Sequence, residues 1–246
     1  MVESYRESHM EPGRGSSYDR VFRENAHRAI IWELEQRAMD DVVRRFFADR
    51  PIRHLDFACG TARIVCYLED RAIQSTGVDV SPSMLEVARA NVRKAEILHA
   101  DLTRENVLGQ RQFDLITAFR FFPNAEPALR RDAMAALVKH LAPGGYIVFN
   151  NHTNQSSMLN RLCRLLCRGG TLGMTQAEVD ELVAAAGLKI EKVYPIGLMP
   201  ATERHLFMPR QVLRAIERMA SACGVFRGLS QNLIFVCGRA PPGRDE

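Results

Sequence analysis

The 246-residue chain has no uninterrupted apolar run of about 18 residues, so no membrane-spanning helix is expected. Its opening stretch, MVESYRESHMEPGRGSSYDR, lacks the apolar core of a secretory signal peptide. The six cysteines (Cys59, Cys66, Cys163, Cys167, Cys223 and Cys237) form no C-x-x-C pair and no regular framework. Cys163 and Cys167 stand one helical turn apart, but their neighbourhood offers no further ligands, so no metal is expected. Reduced cysteines and cytoplasmic residence are the resulting expectation. Charge of one sign is also scarce: 33 Lys and Arg face 29 Asp and Glu, a net +4. That excess falls short of a dedicated nucleic-acid binder and leaves room for a local anion site. There is no internal repeat and no second hydrophobic core, so a single domain with an N-terminal arm is expected.

What is present is an alternation of strand and helix signals. Residues 1 to about 24 are rich in Gly, Ser and charge and read as an arm. A helix follows, with Ile30, Leu34, Ala38, Val42 and Phe46 at helical spacing and Met39, Val43 and Phe47 widening the stripe. Pro51 ends it. Strands are read at "IRHLDFA", "STGVDV", "AEILHADL", "FDLITAFRFF" and "YIVFNNH". The helices between them are "ARIVCYLED", "PSMLEVARANVRK" with Ser81 as N-cap and Pro82 in the first turn, and "PALRRDAMAALVKHL", stopped by Pro143-Gly144-Gly145. Later come an inserted helix at 155–170 ending at Gly169-Gly170, and a helix with a Thr175/Glu178 capping box and Gly187 as its stop. Two further strands, "LKIEKVYPIG" and "NLIFVCGRA", flank a second inserted region at 203–228. Strands spaced by helices of this length imply a doubly wound, mostly parallel α/β sheet with right-handed crossovers.

The segment richest in chemistry is "LDFACGTAR", Leu55 to Arg63. A buried strand ends at an acid, Asp56, and runs through Ala58, Cys59, Gly60 and Thr61 into a helix. Small residues let backbone N–H groups approach a ligand closely, and a helix start favours a carboxylate there. An acid beside those amides suits an ammonium, so the loop fits an amino-acid moiety. Asp79 ends the next strand about 20 residues after Gly60, the separation at which such an acid meets a ribose diol. Asp101 follows the third strand and is placed to accept from an exocyclic adenine amine, with Val80, Met84 and Leu102 supplying apolar faces. Amino acid, ribose and adenine in that order describe S-adenosylmethionine.

From about Ile52 to Ala240 the chain resembles a class I S-adenosylmethionine-dependent methyltransferase. The resemblance rests on the Asp-x-x-x-Gly loop, the acid after strand two, "HADL", "FDLI" and "LAPGG". It implies a seven-stranded sheet of order 3-2-1-4-5-7-6 with strand seven antiparallel, S-adenosylmethionine as cofactor and S-adenosylhomocysteine as product. Ala58 and Ala62 stand where that family often has glycine. A division into an arm and lid helix at 1–50 and a cofactor-binding domain at 51–246 follows.

Other readings fit less well. A nicotinamide site would want glycine at 63, where Arg63 stands, and has no use for Asp56. Asp114 reads as structural, at the start of strand four. Ligands in such sheets sit beyond the carboxyl ends of the strands, which puts Phe119 at the methionine end and Arg120, Phe121, Phe122, Asn151 and arm residue Tyr18 at the acceptor. His152 is the candidate general base, since imidazole titrates near neutrality. The loop "FRFFPN" lacks the Asn/Asp-Pro-Pro-aromatic motif of adenine amine methylators, and no Pro-Cys nucleophile is present. A small-molecule or glycan-type acceptor, possessing a negative charge if the arginine runs at 161–168 and 210–218 face it, is therefore expected over nucleic acid or protein. A non-catalytic cofactor-binding protein is the alternative from another class.

Overall fold

The structure, a computed structural model, describes residues 25–48, 50–158, 161, 173–198, 209–223 and 228–240. Seven strands, β1 (Arg53–Phe57), β2 (Gln74–Asp79), β3 (Glu96–His99), β4 (Phe113–Ala118), β5 (Leu141–Asn151), β6 (Leu188–Ile196) and β7 (Asn232–Arg239), form one sheet. Its order is β3-β2-β1-β4-β5-β7-β6. The first five strands pair in parallel, and β7 runs antiparallel to both β5 and β6. This is the mostly parallel sheet expected from the alternation of elements, with the strand order and antiparallel strand seven that the family resemblance implied.

Helices cover both faces, as a mostly parallel sheet requires. On one side, α4 (Pro127–Lys139) and α5 (Gln176–Ala185) bury Leu129, Met134, Leu137, Val179 and Val183 against Leu55, Ile147, Phe149 and Phe235. On the other lie α1 (Ala26–Val42), α2 (Arg63–Leu68) and α6 (Arg210–Cys223), with Ile30, Leu34, Ile64 and Leu213 packed near Leu115, Val148 and Val236. α3 (Pro82–Asn91) packs Leu85 and Ala88 onto Val65 of α2. α1 continues into a π-helical turn at Val43–Phe47. The extra residue per turn rotates the end of the stripe, so Phe47 is buried while Phe46 is only partly so.

Several local expectations need correction. The "PGG" triplet does not stop α4: that helix ends at Lys139, and Pro143-Gly144-Gly145 lie inside β5. The ladder shifts register between Phe113 and Leu115, which accommodates the proline, and a Cβ on Gly145 would sit 2.9 Å from the Asp114 carbonyl. Strand four stops at Ala118, because Arg120 takes a left-handed φ of 61° that turns the chain. Ser81 occupies the N-cap position of α3 but makes no side-chain capping bond; Asp79 Oδ1 accepts from the Ser81 backbone N–H instead. The Thr175/Glu178 capping box is present, and Gly187 closes α5 at φ 67°. The inserted helix expected at 155–170 falls largely outside the described residues, as do the arm with Tyr18 and the flanks of α6.

Candidate functional site

Chain direction reverses at β1: the chain goes to β2 on one side and later to β4 on the other, leaving a crevice at the carboxyl ends of these strands. A cleft open to solvent lies there. Ala58, Asp79, Val80, Asp101 and Leu102 line it, together with Phe57, Phe121 and Thr103. The loop from β1 to α2 winds through alternate left-handed residues, with Ala58, Gly60 and Ala62 at φ 53°, 55° and 64°. Left-handed backbone is strained for alanine by roughly 1–2 kcal/mol per residue, so the turn is held by its surroundings.

Asp79 supplies part of that hold. Its Oδ2 accepts from the Gly60 N–H at 2.8 Å and its Oδ1 from the Ser81 N–H at 2.8 Å, so one carboxylate ties the first loop to the start of α3. Asp101 Oδ1 accepts from Thr103 N at 3.0 Å and Oγ1 at 2.6 Å, closing a tight turn at the cleft wall. The acids at 79 and 101 thus share one cavity with Val80 and Leu102, two of the three apolar residues expected to flank a ring.

Asp56 does not line the cleft. Its side chain is buried beneath the loop and accepts from Thr117 Oγ1 at 2.6 Å. Burial raises its pKa to about 7, while the Thr117 bond and the Arg63 charge oppose the rise. Thr117 is in turn 2.8 Å from His54 Nε2, and His54 Nδ1 is 2.7 Å from Ser75 Oγ. Burial pushes His54 down to about 3, so the imidazole is neutral. Cys59, Thr61 and Met84 are buried behind the loop rather than on the cavity wall.

The tips of β4 and β5 form a second, more polar neighbourhood. Glu35 of α1 is fully buried there and accepts from Arg63 Nη1 at 2.8 Å. Arg120 Nη2 stands 3.8 Å from its other oxygen, which also accepts from Asn150 Nδ2 at 3.4 Å. Asn150 Oδ1 accepts the Arg120 backbone N–H at 2.6 Å, pinning the strained turn. The Arg63 guanidinium also lies 4.2 Å from the Trp32 ring centre. Glu35, Arg63 and Asn150 were not singled out in the sequence; the available signal was an acid set between Ile31 and Met39 on the apolar side of a helix.

Of the residues expected at the acceptor, Arg120 lies in this neighbourhood, whereas Asn151, next to Asn150 on β5, turns to the opposite face of the sheet. Asn151 Nδ2 donates to the Met174 carbonyl at 2.8 Å, while its buried Oδ1 has no hydrogen-bond partner. Phe122 lies in the core, with its ring 5.2 Å from Phe121 and 5.0 Å from Phe149. Phe119 packs on the opposite side of the sheet with Leu115 and Val148. Phe121, edge-on to Phe57 at 4.8 Å, reaches the cleft beside that ring. His152 follows β5. Its Nδ1 is buried without a partner, and burial, aided by the charges of Arg120 and Arg28, lowers its pKa to about 3. Among the described residues no group of three or more His, Cys, Asp or Glu is placed to hold a metal ion, and no helix is long and apolar enough to cross a membrane.

Comparison with known proteins agrees with this geometry. Residues 55–145, which carry the whole cleft-forming series from β1 to the start of β5, match the methyltransferase domain family. The ubiquinone biosynthesis O-methyltransferase of Alkalilimnicola ehrlichii is 30% identical over 169 residues, 62% of this chain and 67% of that protein. The malonyl-acyl-carrier-protein O-methyltransferase of Enterobacter lignolyticus is 32% identical over 117 residues, 48% of this chain; the match spans only 45% of that relative's length. Among solved structures, the magnesium protoporphyrin IX methyltransferase of Synechocystis with bound S-adenosylhomocysteine superimposes with a TM-score of 0.65 at 13% identity, covering 95% of this chain and 97% of that one. An S-adenosylmethionine-dependent methyltransferase of Thermotoga maritima gives 0.62 at 17% identity, covering 92% and 95%. At such identities these structures speak for the fold, while the sequence relatives speak for the family. With its strand order, its cleft and these relatives, the chain belongs to the class I S-adenosylmethionine-dependent methyltransferases.

Proposed function

We propose that this protein transfers the methyl group of S-adenosylmethionine to an oxygen or nitrogen of a small-molecule or glycan-type acceptor. The observation that carries this reading is the single cleft onto which Asp79 and Asp101 converge beside the polar neighbourhood at the tips of β4 and β5. When bound, the cofactor brings a methyl sulfonium with its own leaving group, so the protein's task is alignment. Holding two reactants in line supplies roughly 7–11 kcal/mol.

The residues divide that task. Asp79 receives the ribose hydroxyls, Asp101 the adenine amine, and Val80, Leu102 and Phe121 flank the ring. The loop N–H groups left over from the Cys59–Val78 and Gly60–Asp79 bonds meet the carboxylate end, with Asp56 toward the ammonium. In this reading residues 51–246 form the cofactor-binding domain, and 1–50 an arm whose helix lies over the sheet.

His152 is the base. Held neutral, its Nδ1 is able to accept an acceptor's O–H; the guanidiniums of Arg28 and Arg120 make that nitrogen a weak base. An anionic acceptor would offset those two charges and raise the basicity when it is needed, which favours a carboxylate- or phosphate-bearing substrate. Both named sequence relatives are O-methyltransferases, in line with an oxygen nucleophile. The loop after β4 carries Phe121 and Phe122 buried, and its sequence FRFFPN lacks the Asn/Asp-Pro-Pro-aromatic motif of adenine amine methylators.

The test is a panel of anionic and neutral hydroxy and amino metabolites incubated with methyl-labelled cofactor. Label transfer to a small acceptor, lowered about 100-fold or more in His152→Ala at unchanged cofactor affinity, is expected for a positioned base. Tight cofactor binding with no transfer to any small acceptor would sink the enzymatic reading in favour of a binding protein.

A further inference from the structure

The polar side chains buried under the cofactor loop form one continuous hydrogen-bonded chain across three strands. Ser75 of β2, His54 of β1, Thr117 of β4 and Asp56 of β1 are linked at 2.7, 2.8 and 2.6 Å. The first three are on the same face of the sheet as Asp56, since His54 and Asp56 are two apart and Asp56 pairs in register with Thr117. All four are buried, and His54 and Thr117 wholly so. Ser75, 6% exposed, borders a separate open depression at the amino ends of β2 and β3, lined also by Glu69, Gln74, Lys94, Glu96 and Arg111. The chain therefore runs from below the cofactor cleft to the wall of a solvent-open depression at the other end of the strands.

Its chemistry permits two arrangements, each with every link made. With Asp56 protonated, its O–H donates to Thr117, Thr117 donates to His54 Nε2, and His54 Nδ1–H donates to Ser75. With Asp56 ionised every bond reverses: Ser75 donates to His54 Nδ1, Nε2–H donates to Thr117, and Thr117 donates to the carboxylate. The two states differ by one proton. A hydroxyl is both donor and acceptor, and a neutral imidazole exchanges its two tautomers, so these three links are the groups able to invert in this way. Acid-only or amide links would leave a buried polar atom unsatisfied in one of the states.

We propose that Thr117, His54 and Ser75 are positioning residues that carry the Asp56 proton out to solvent, so that Asp56 meets the cofactor's ammonium as a carboxylate. In the transfer the Asp56 O–H bond breaks as a proton forms a bond to Thr117 Oγ1. The Thr117 proton moves to His54 Nε2, the Nδ1 proton moves to Ser75 Oγ, and the Ser75 proton passes to water in the depression. No electrons are exchanged. This deepens, and rests on, the assignment of Asp56 to the cofactor's amino end.

Other charges act on Asp56 as well. Arg63 of α2 favours its ionised form and Asp79 of β2 opposes it; the thiols of Cys59 and Cys66, both pushed up by burial, stay neutral, as does His54. Burial is the largest influence and leaves Asp56 near pH 7. The sign follows: the group is protonated below that value, so cofactor binding must release a proton there and releases none well above it.

The experiment is calorimetric titration of the full chain with S-adenosylhomocysteine, in buffers of different ionisation enthalpy, at pH 6 and pH 8. For a group titrating near 7, about 0.9 proton is expected to leave per ligand at pH 6 and about 0.1 at pH 8, with affinity about tenfold tighter at pH 8. Thr117→Val removes the donor to the carboxylate, and should weaken binding at least fivefold at pH 7 with the loss shrinking as pH rises; Thr117→Ser should restore wild-type behaviour. His54→Gln keeps a donor and an acceptor but cannot exchange tautomers. It should slow proton appearance, followed by stopped flow with an indicator dye, at least tenfold at pH 6. Equal proton release at both pH values, a Thr117→Val loss constant with pH, or an unchanged rate in His54→Gln would each overturn the relay. Asp56→Asn separates the two layers. If it binds the ligand as well as wild type does, Asp56 does not meet the cofactor and the site assignment fails. If it binds weakly while the wild type releases no proton, the relay alone fails.

Discussion

Glu35 is where the helix that precedes the sheet is tied to the catalytic end of the fold, and Glu35→Gln tests how much that tie contributes. The carboxylate is fully buried, with Arg63 at 2.8 Å and Arg120 at 3.8 Å, whose side chains retain 20% and 19% exposure. Glutamine preserves the volume and one carbonyl oxygen but removes the charge that both guanidiniums face. Removing one partner of a fully buried pair costs about 3–5 kcal/mol. Because each arginine reaches water with a fifth of its surface, a smaller loss, roughly 2–3 kcal/mol, is expected. At roughly 2–4 °C per kcal/mol for a chain of this size, the midpoint should fall by about 5–10 °C. Calorimetry and urea unfolding at pH 7 give the two numbers independently. The deficit should be nearly the same in 0.1 and 1 M NaCl, since salt screens exposed pairs and not buried ones. A loss below about 0.5 kcal/mol, the size of an ordinary surface change, would refute the argument that this carboxylate bridges α1 to the loops after β1 and β4.

The two alanines of the cofactor loop should respond oppositely to glycine. Ala58→Gly relieves a left-handed residue at a partly exposed position and should be neutral to about 0.5 kcal/mol stabilising, whereas Ala62→Gly also loses a buried methyl packed near Val65 and Leu85 and should cost about 0.5 kcal/mol. Urea midpoints moving in the same direction would contradict this. Asp79→Ala removes the carboxylate joining Gly60 to Ser81 and should weaken cofactor affinity at least tenfold by titration calorimetry; unchanged affinity would take Asp79 out of the site. Asp114 is held well below the usual carboxylate range by hydrogen bonds from the Arg53 side chain and backbone. Its folded-state pKa is depressed, so its contribution is present at neutral pH and lost as pH falls below the ordinary aspartate value. Asp114→Asn should therefore be less stable than wild type at pH 7, with the deficit shrinking as pH falls below the ordinary aspartate value; a constant difference would rule out that charge effect.

Much of this molecule could be read from sequence because local pattern and global packing agree. Alternating apolar runs and amphipathic helices located all seven strands, and the turn residues between Asp56 and Arg63 marked the loop. The misreadings share a cause: contacts distant in sequence. Pro143-Gly144-Gly145 look like a helix stop, yet the ladder to β4 incorporates them through a register shift that only the neighbouring strand reveals. Phe121 and Phe122 are adjacent and chemically alike, and the left-handed turn at Arg120 decides that one ring reaches the cleft while the other enters the core. Asp56 was expected beside the loop amides; that its carboxylate accepts from the hydroxyl of Thr117, 61 residues away, could not be read from the chain. His54 and Ser75 gave no signal by themselves, because their meaning depends on which strands are neighbours. Glu35 lay in view as an acid on an apolar stripe, but its partners come from three other segments.

The position of β7 has a consequence for how the chain is made. It is the last strand in order, yet it is wedged between β5 and β6 and is buried along nearly its whole length. Until residues 232–239 have left the ribosome, β5 and β6 cannot be joined, and each waits with an unpaired edge. The cofactor half of the sheet can assemble early, while the other half is completed by a late insertion. Nascent or C-terminally clipped chains should therefore be the aggregation-prone species of this protein, through the strand edges that β7 covers in the finished molecule.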